Sequence, residues 1–339
     1  MKNTLSTILI SYLFIAMADA QIIRGVIISE KDRTPIADAF IFISNTNYAV
    51  ASDKDGYFEI EAHGFAYVSL TITQINYEIL IVDVDPLNKD VVQIKLIPRD
   101  NRIDEVRLTK TYDPKIRERR IKRFTSAILG LGHKKKKVAI KNRKQLLLYE
   151  EDDILKVVTD QPVVIENYEL GYRIKFFIKY FQLDRFDQVI LIGSAYIEEL
   201  AIEVNRKKKI VRNRRKVYSK SKKKFLYSLY HNVDMNDYNL AFRYGTKVDY
   251  DFRSIDYKAL KADFLSVGEH IEIKRIELPR ELRVQEKAKG LYSYLKSTTG
   301  ELLIDSYGNI LNIEAVHESG TWSSKRLSSL LPYDYLPKG

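Results

Sequence analysis

"GVIISEKDRTPIADAFIFISNTNYAVASDKDGYFEI", residues 25–60, decides how the N-terminal part of the chain is read. Near its end Asp53 and Asp55 alternate before Gly56, and Glu59 and Glu61 follow, as in a calcium loop. An EF-hand loop needs oxygen ligands at its first, third and fifth positions, glycine at the sixth and a bidentate glutamate at the twelfth. With Gly56 at the sixth position, the first and last ligands fall on Ala51 and Ala62, so the loop cannot close around a cation. What remains is an Asp-x-x-Gly turn. Aspartate side chains accept from local backbone N–H groups, and glycine takes positive φ without a steric penalty. Tyr57, Glu59 and Glu61 alternate with Phe58 and Ile60, the period of a half-buried strand. The stretch therefore predicts a tight hairpin turn with no metal.

Outward from this turn, residues 22–99 read as all-β. Short β-branched and aromatic runs are separated by "EKDRTP", "DKDG", "HG" and "DPLNKD", and Val68, Leu70 and Ile72 share one face. Strands at this spacing predict a β-sandwich. The residues Gly25-Val26, Thr34-Pro35-Ile36, Ala39, Ile41, Ile43, Asp53, Gly56, Phe58 and Ile60 resemble the carboxypeptidase regulatory-like domain, a transthyretin-like sandwich. The resemblance implies turns at the Gly and Pro positions, a core at the Ala, Ile and Phe positions, and no catalytic residues.

Residues 1–20, "MKNTLSTILISYLFIAMADA", have a short basic start, an apolar stretch and an Ala18-Asp19-Ala20 box, which together predict a cleaved signal peptide. The chain has no cysteine, which excludes disulfides, thiolate metal sites and a lipid-bearing cysteine. Export without disulfides points to a bacterial periplasm or outer-membrane surface. No later segment is apolar over the roughly 18 residues a membrane helix needs. An outer-membrane barrel is not expected either, because charged helical stretches separate the strand-like segments after residue 140.

The expected organisation is mainly β: a seven-stranded-type sandwich over 21–99, a charged linker over 100–114, and a mixed α+β, strand-rich domain over 115–339. Ile116, Ile121, Phe124, Ile128 and Leu129 predict a helix opened by Pro114 and closed by Gly130 and Gly132. "PVVIENY", "GYRIKFFIKYFQL", "DQVILIGSAYIEE", "EHIEIKRIEL", "ELLIDS" and "NILNIEAV" predict strands. "SYGN" at 306–309 predicts a hairpin turn, and "SSKRLSSLLP" a short helix. "RRKVYSKSKKKFLYSLYHN" predicts one helix, with Val217, Phe225 and Leu229 inward. This half resembles the second domain of a large group of exported bacterial proteins that carry the same sandwich. The resemblance rests on Pro162-Val163-x-Ile165-x-Asn167-x-x-Leu170-Gly171-Tyr172, on Gly193-x-Ala195-x-x-Glu198-Glu199-Leu200, on Asn213-Arg214-x-x-x-Tyr218, and on Ser319-Gly320-x-Trp322-x-x-x-Arg326-Leu327 with Leu331-Pro332-x-Asp334-Tyr335. It implies no reaction. Where the group has Tyr-x-Gly-Ser and then His, this chain has Tyr218-Ser219-Lys220-Ser221 and then Lys222.

His63, His133, His231, His270 and His317 fall in no H-E-x-x-H, H-x-x-E or H-x-H spacing, so the ligand pair of a zinc peptidase is missing. There is no G-x-S-x-G elbow, and no cofactor is expected. The acids of "YEEDD" read as a solvated loop beside a basic helix. Glu198 and Glu199 face opposite sides of a strand, and Trp322 reads as an anchor for the C-terminal segment.

Charge is the strongest signal. The chain carries 56 Lys and Arg against 45 Asp and Glu, a net +11. Arg206, Lys207, Lys208, Lys209, Arg212, Arg214, Arg215, Lys216, Lys220, Lys222, Lys223 and Lys224 follow one another with no acid between them. These residues are the candidates for binding an anionic partner: lipid, glycan or an envelope protein. Export argues against nucleic acid. The expected function is a non-catalytic envelope protein. The alternatives are a hydrolase whose site assembles only in the fold, and an accessory of TonB-dependent outer-membrane transport, whose receptors carry a similar N-terminal sandwich. Intact mass of the protein from its native host should place the mature N-terminus at Gln21; mature material that keeps Met1 would overturn the leader.

Overall fold

The structure, a computed structural model, describes residues 21–337 except 63, 100–112, 131–136, 160, 247, 268–270 and 289. The predicted leader and nearly all of the predicted linker lie outside the described residues, as do His63, His133 and His270.

Seven strands form the N-terminal sandwich: β1 (Ile22–Ser29), β2 (Phe40–Ile43), β3 (Ala49–Ala51), β4 (Tyr57–Glu61), β5 (Val68–Thr73), β6 (Leu80–Val84) and β7 (Val92–Leu96). One sheet runs β4-β1-β7 and the other β3-β2-β5-β6; β1 and β7 pair in parallel. Ile23, Ile27, Ile41, Phe58, Leu70, Ile72 and Leu96 fill the space between them. The Asp53 carboxylate accepts from the backbone N–H of Asp55 (2.9 Å) and Tyr57 (2.8 Å), and Gly56 has φ +75°. The tight turn is as expected, but it is not a hairpin. Its two strands, β3 and β4, lie in different sheets, so the turn is an arch that carries the chain across the sandwich. Gly56 is needed there because a Cβ would meet the Ile27 carbonyl at 2.4 Å. Local alternation is the same for an arch and a hairpin, so the sequence does not separate them.

The helix α1 (Pro114–Leu129) starts at an Asp113 cap and ends at Gly130. It covers a sheet of β8 (Val138–Ile140), β9 (Leu147–Glu151), β10 (Ile154–Val158), β11 (Val163–Asn167), β12 (Tyr172–Leu183) and β13 (Val189–Glu199). The long β12 takes β11 and β10 along one edge and β13 along the other. Phe124 meets Phe181 edge-on at 5.0 Å, within a core that includes Ile128, Leu155, Ile165 and Ile174. In the "YEEDD" run Glu151, Asp152 and Asp153 are exposed, but Glu150 is half-buried on β9 and pairs with Arg119, Arg120 and Arg123 of α1.

The helices α2 (Val204–Tyr218) and α3 (Lys222–His231) replace the single helix expected there. Ser221 ends the run because its hydroxyl accepts from the Lys224 N–H and caps α3. Then come β14 (Tyr238–Gly245), β15 (Tyr250–Ile255), β16 (Ala262–Ser266), β17 (Glu272–Glu277), β18 (Leu282–Glu286), β19 (Leu291–Ser297), β20 (Glu301–Ile304) and β21 (Val316–Gly320). They form a five-stranded sheet, β15-β14-β18-β19-β21, and a three-stranded one, β16-β17-β20. Phe225, Leu226 and Leu229 of α3 share a core with Leu240, Ile276, Leu282, Val284, Leu295 and Ile304. Two expectations fail in this part. "NILNIEAV" makes a bridge at Ile310 and a 3-10 turn, with only Val316 entering a strand, and "SSKRLSSLLP" makes a single 3-10 turn, Leu327–Ser329.

The sandwich does not stand apart from the rest. The Asn45 N–H donates to the Ala195 carbonyl (2.7 Å), the Ile197 N–H to the Thr46 carbonyl (2.8 Å), and the Tyr333 N–H to the Asn45 carbonyl (2.9 Å). Ile41 and Ile43 of β2 point into the sandwich, while Phe40 and Phe42 point out of it against Phe177 and Tyr196. Phe42 is fully buried although it faces away from the sandwich core. Phe42→Ala should therefore cost about 3–5 kcal/mol of stability, measured by urea unfolding. A cost within about 0.5 kcal/mol, as for a surface position, would show that the sandwich and β12–β13 do not pack.

Candidate functional site

The basic helix α2 is held by the residues whose phrases resemble the exported group. Asn213 Nδ2 donates to the Glu169 carbonyl at 2.9 Å, and Arg214 Nε to the Leu170 carbonyl at 2.7 Å. The same guanidinium pairs with Glu199 at 2.8 Å and lies 3.9 Å from the centre of the Tyr172 ring. Gly171 has φ +68°, and a Cβ there would meet Ile202 at 2.6 Å and Ile210 at 3.2 Å. Glu198 turns the other way to Lys175, so the two glutamates face opposite sides as expected. Asn167 Nδ2 donates to the Ser328 carbonyl, Arg326 to the Ala127 carbonyl, and Tyr218 packs on Tyr335. These phrases are a docking framework for α2 and for the C-terminal tail.

With Ile210, Arg214, Val217 and Tyr218 turned toward the protein, the opposite flank of α2 is a cationic surface. Lys207, Lys208, Lys209, Arg212, Arg215 and Lys216 are exposed around it, and Arg206, also exposed, turns back to the Tyr168 carbonyl at 3.4 Å. Among the described residues Lys207, Lys208, Lys209, Arg212 and Lys216 have no ion pair. Val204 is 80% and Val211 46% exposed on the same flank. At 100° per residue, positions 204, 208, 211 and 215 form one ridge, so the valines stand among the cations. Beside the first turn, Arg206, Lys209 and Asn213 share a cavity of about 190 Å³ with Lys137, Tyr168 and Glu169. Lys137 was not singled out in the sequence, because it lies just before β8, far away along the chain.

The other five predicted cations are not on that surface. Arg214 is spent in docking α2. Lys220 is half-buried at the break, Lys222 pairs with Glu318 at 2.5 Å, and Lys224 pairs with Asp234. Lys223 turns inward, donating to Asn309 Oδ1 at 3.0 Å and to the Tyr333 carbonyl. The physical reason is the break at Ser219–Ser221, which rotates the second lysine run off the exposed flank and under the C-terminal tail. The Ser219 hydroxyl donates to the Lys216 carbonyl and the Ser221 hydroxyl to the Tyr218 carbonyl, so these two serines hold the break. Trp322 stacks on Phe225 at 5.5 Å, as an anchor should, and also lines a cavity of about 230 Å³ beside the break.

Burial holds the Lys223 ammonium down to about 8, against the opposing pull of Asp305 and Asp334. Asp305, under the same turn, is pushed up by burial, although Asn309 and the Tyr307 N–H hydrogen-bond its carboxylate. Gly308 fits this turn against α3, since a Cβ would meet the Lys223 carbonyl at 2.5 Å.

Of the described histidines, His231 contacts the Ser306 carbonyl at the end of α3, and His317 is exposed on β21. Among the described residues no group of three His, Asp or Glu side chains is placed to hold a metal ion. No helix among them is long and apolar enough to cross a membrane. Residues 23–108 match the family model of the CarboxypepD_reg-like domain, a non-catalytic Ig-like fold family, so the sandwich is a domain of that kind. The match runs past residue 99 into residues the structure does not describe. No curated protein matches the chain.

Between pH 8 and the ordinary 10.5 of lysine, the unfolded chain holds a proton on residue 223 that the folded chain has released. The stability that Lys223 costs is therefore recovered as pH rises through this window. Urea unfolding should show a gain of about 1–2 kcal/mol from about pH 8 to pH 9.5. Lys223→Met should flatten that gain; a wild type as flat as the variant would show that the ammonium is solvated.

Proposed function

We propose that the protein is a non-catalytic, exported cell-envelope protein that docks on an anionic lipid surface through α2. What carries the reading is the exposed flank of α2, where Val204 and Val211 stand among Lys207, Lys208, Arg212 and Arg215. Cations alone would suit any polyanion. Apolar side chains set among them suit the headgroup boundary of a bilayer, which offers negative charge and apolar depth together. The non-catalytic domain over 23–108 and the leader-like residues 1–20 fit a protein that binds in the envelope and does not turn over a substrate. The sandwich over 21–99 and the α+β part after residue 114 act in this reading as one support that presents α2.

Each cation near a charged bilayer contributes about 1 kcal/mol. The variant Lys208→Glu/Arg212→Glu/Lys216→Glu should therefore lose more than about a hundredfold in partitioning to phosphatidylglycerol vesicles. Its unfolding transition should stay in place, because exposed charges contribute little to stability. Cosedimentation of the wild type should weaken steeply as salt passes about 0.15 M. Equal binding to phosphatidylcholine vesicles, or full binding by the triple variant, would overturn the reading. Binding to acidic polysaccharide with none to phosphatidylglycerol would replace lipid by glycan.

A further inference from the structure

The five-stranded sheet packs one face on α3 through Leu240, Leu282, Val284 and Leu295. Side chains alternate across a sheet, so the partners in register on its other face form rows. One row is Ser254, Ala241, Arg283 and Tyr294; the next is Asn239, Gln285 and Tyr292. Ala241 fills little of its place in the first row. Phe252 leans across it to the Arg283 guanidinium, which lies 4.4 Å from the Phe252 ring centre and 5.1 Å from that of Tyr292. In the second row Asn239 Nδ2 donates to Gln285 Oε1 at 3.2 Å, and Gln285 Nε2 to the Tyr292 hydroxyl at 3.1 Å. Above Ser254, Ala241, Arg283, Asn239 and Gln285 of these rows lies a trough of about 570 Å³, also lined by Tyr257, Lys258, Asn236 and Lys287. That volume is in the range of small-molecule sites.

The trough's charge is unbalanced. Among the described residues none of Arg283, Lys258 and Lys287 has an ion pair. The acid in the lining is Asp256, whose carboxylate accepts from the Lys258 N–H. We propose that this trough binds a uronate-containing oligosaccharide. Arg283, in contact with both rings, offers its guanidinium to a sugar carboxylate, a pairing that is stronger than a neutral hydrogen bond. Asn239 and Gln285, which line the trough, each keep an amide N–H and acceptor capacity for ring hydroxyls. A phosphate polymer would need cations alone. The paired amides, which both donate and accept, are what hydroxyl groups require. This site lies on a different surface from α2 and does not depend on the lipid reading.

Calorimetry of the full-length protein with hexagalacturonate at low salt tests the assignment, with the fully methyl-esterified hexamer as the uncharged control. The wild type should bind the acid and lose at least about tenfold toward the ester. Arg283→Gln should lose at least about tenfold as well. The double variant Asn239→Ala/Gln285→Ala changes two solvent-facing side chains and should weaken binding without moving the unfolding transition. Lys208→Glu/Arg212→Glu/Lys216→Glu should bind within about twofold of the wild type. No binding by the wild type overturns the proposal, and so does binding unchanged in both trough variants. Loss in the α2 variant with retention in the trough variants would place the glycan on α2 and overturn it too.

Discussion

Three hydrogen bonds around Asn45 and Thr46 hold the molecule together. The Asn45 N–H and the Thr46 carbonyl continue the edge of β13 through Ala195 and Ile197, and the Asn45 carbonyl takes the Tyr333 N–H of the C-terminal tail. Asn45 can face both ways because it sits at φ 61°, a left-handed conformation that asparagine tolerates better than most residues. Thr46 is fully buried, and its hydroxyl returns to the Ile43 carbonyl. Backbone groups buried at such a corner must be paired, so the sandwich, the central sheet and the tail are fixed by one short segment. The aromatic contacts of Phe40 and Phe42 follow from that placement. So does the position of the tail over α3, which encloses Lys223.

Placement under the tail explains why one basic run has two fates. On α2 the cations project from a helix packed along one narrow side, and water solvates them. On α3 the helix is covered on several sides, and each lysine has to find a partner. The same requirement recurs at the far end of α3. Lys274, almost fully buried, donates to the Leu229 and Tyr230 carbonyls at 2.8 and 3.2 Å and to Asn232 at 2.9 Å. Those carbonyls have no partner within the helix, and a cation there also meets the negative end of the helix dipole. Burial lowers the Lys274 ammonium, but the carbonyls it satisfies would otherwise be stranded.

The arrangement suits a protein that presents surfaces. The polar groups drawn into the interior serve joints: Lys223 and Asp305 at the tail, Lys274 at a helix end, and Glu150 among the arginines of α1. Cations without an ion pair among the described residues stand on the outer flank of α2 and along the trough over Ala241.

The sequence by itself determined the sandwich, the position of α1, the turns at Gly56 and Gly308 and the central strands β11 to β13. Those features are carried by local signals: period-two alternation, a Pro–Gly bracket and residues that accept positive φ. The stretches of β14, β15 and β19 were missed because tyrosine and arginine interrupt their apolar pattern, and those residues face a half-open sheet surface whose partners are strands away. In the candidate site, the exposed cations of α2 were legible as charge density, but the separation of Lys222, Lys223 and Lys224 from them was not. Charge density is a property of the run, whereas exposure depends on what packs over it. Only the tertiary structure decided that the Asp53 turn crosses between sheets, that Ser221 divides two helices, that the tail buries Lys223, and that Ala241 and Arg283 share a trough. Each of these depends on contacts between residues far apart along the chain, and no local preference encodes a neighbour brought in by the fold.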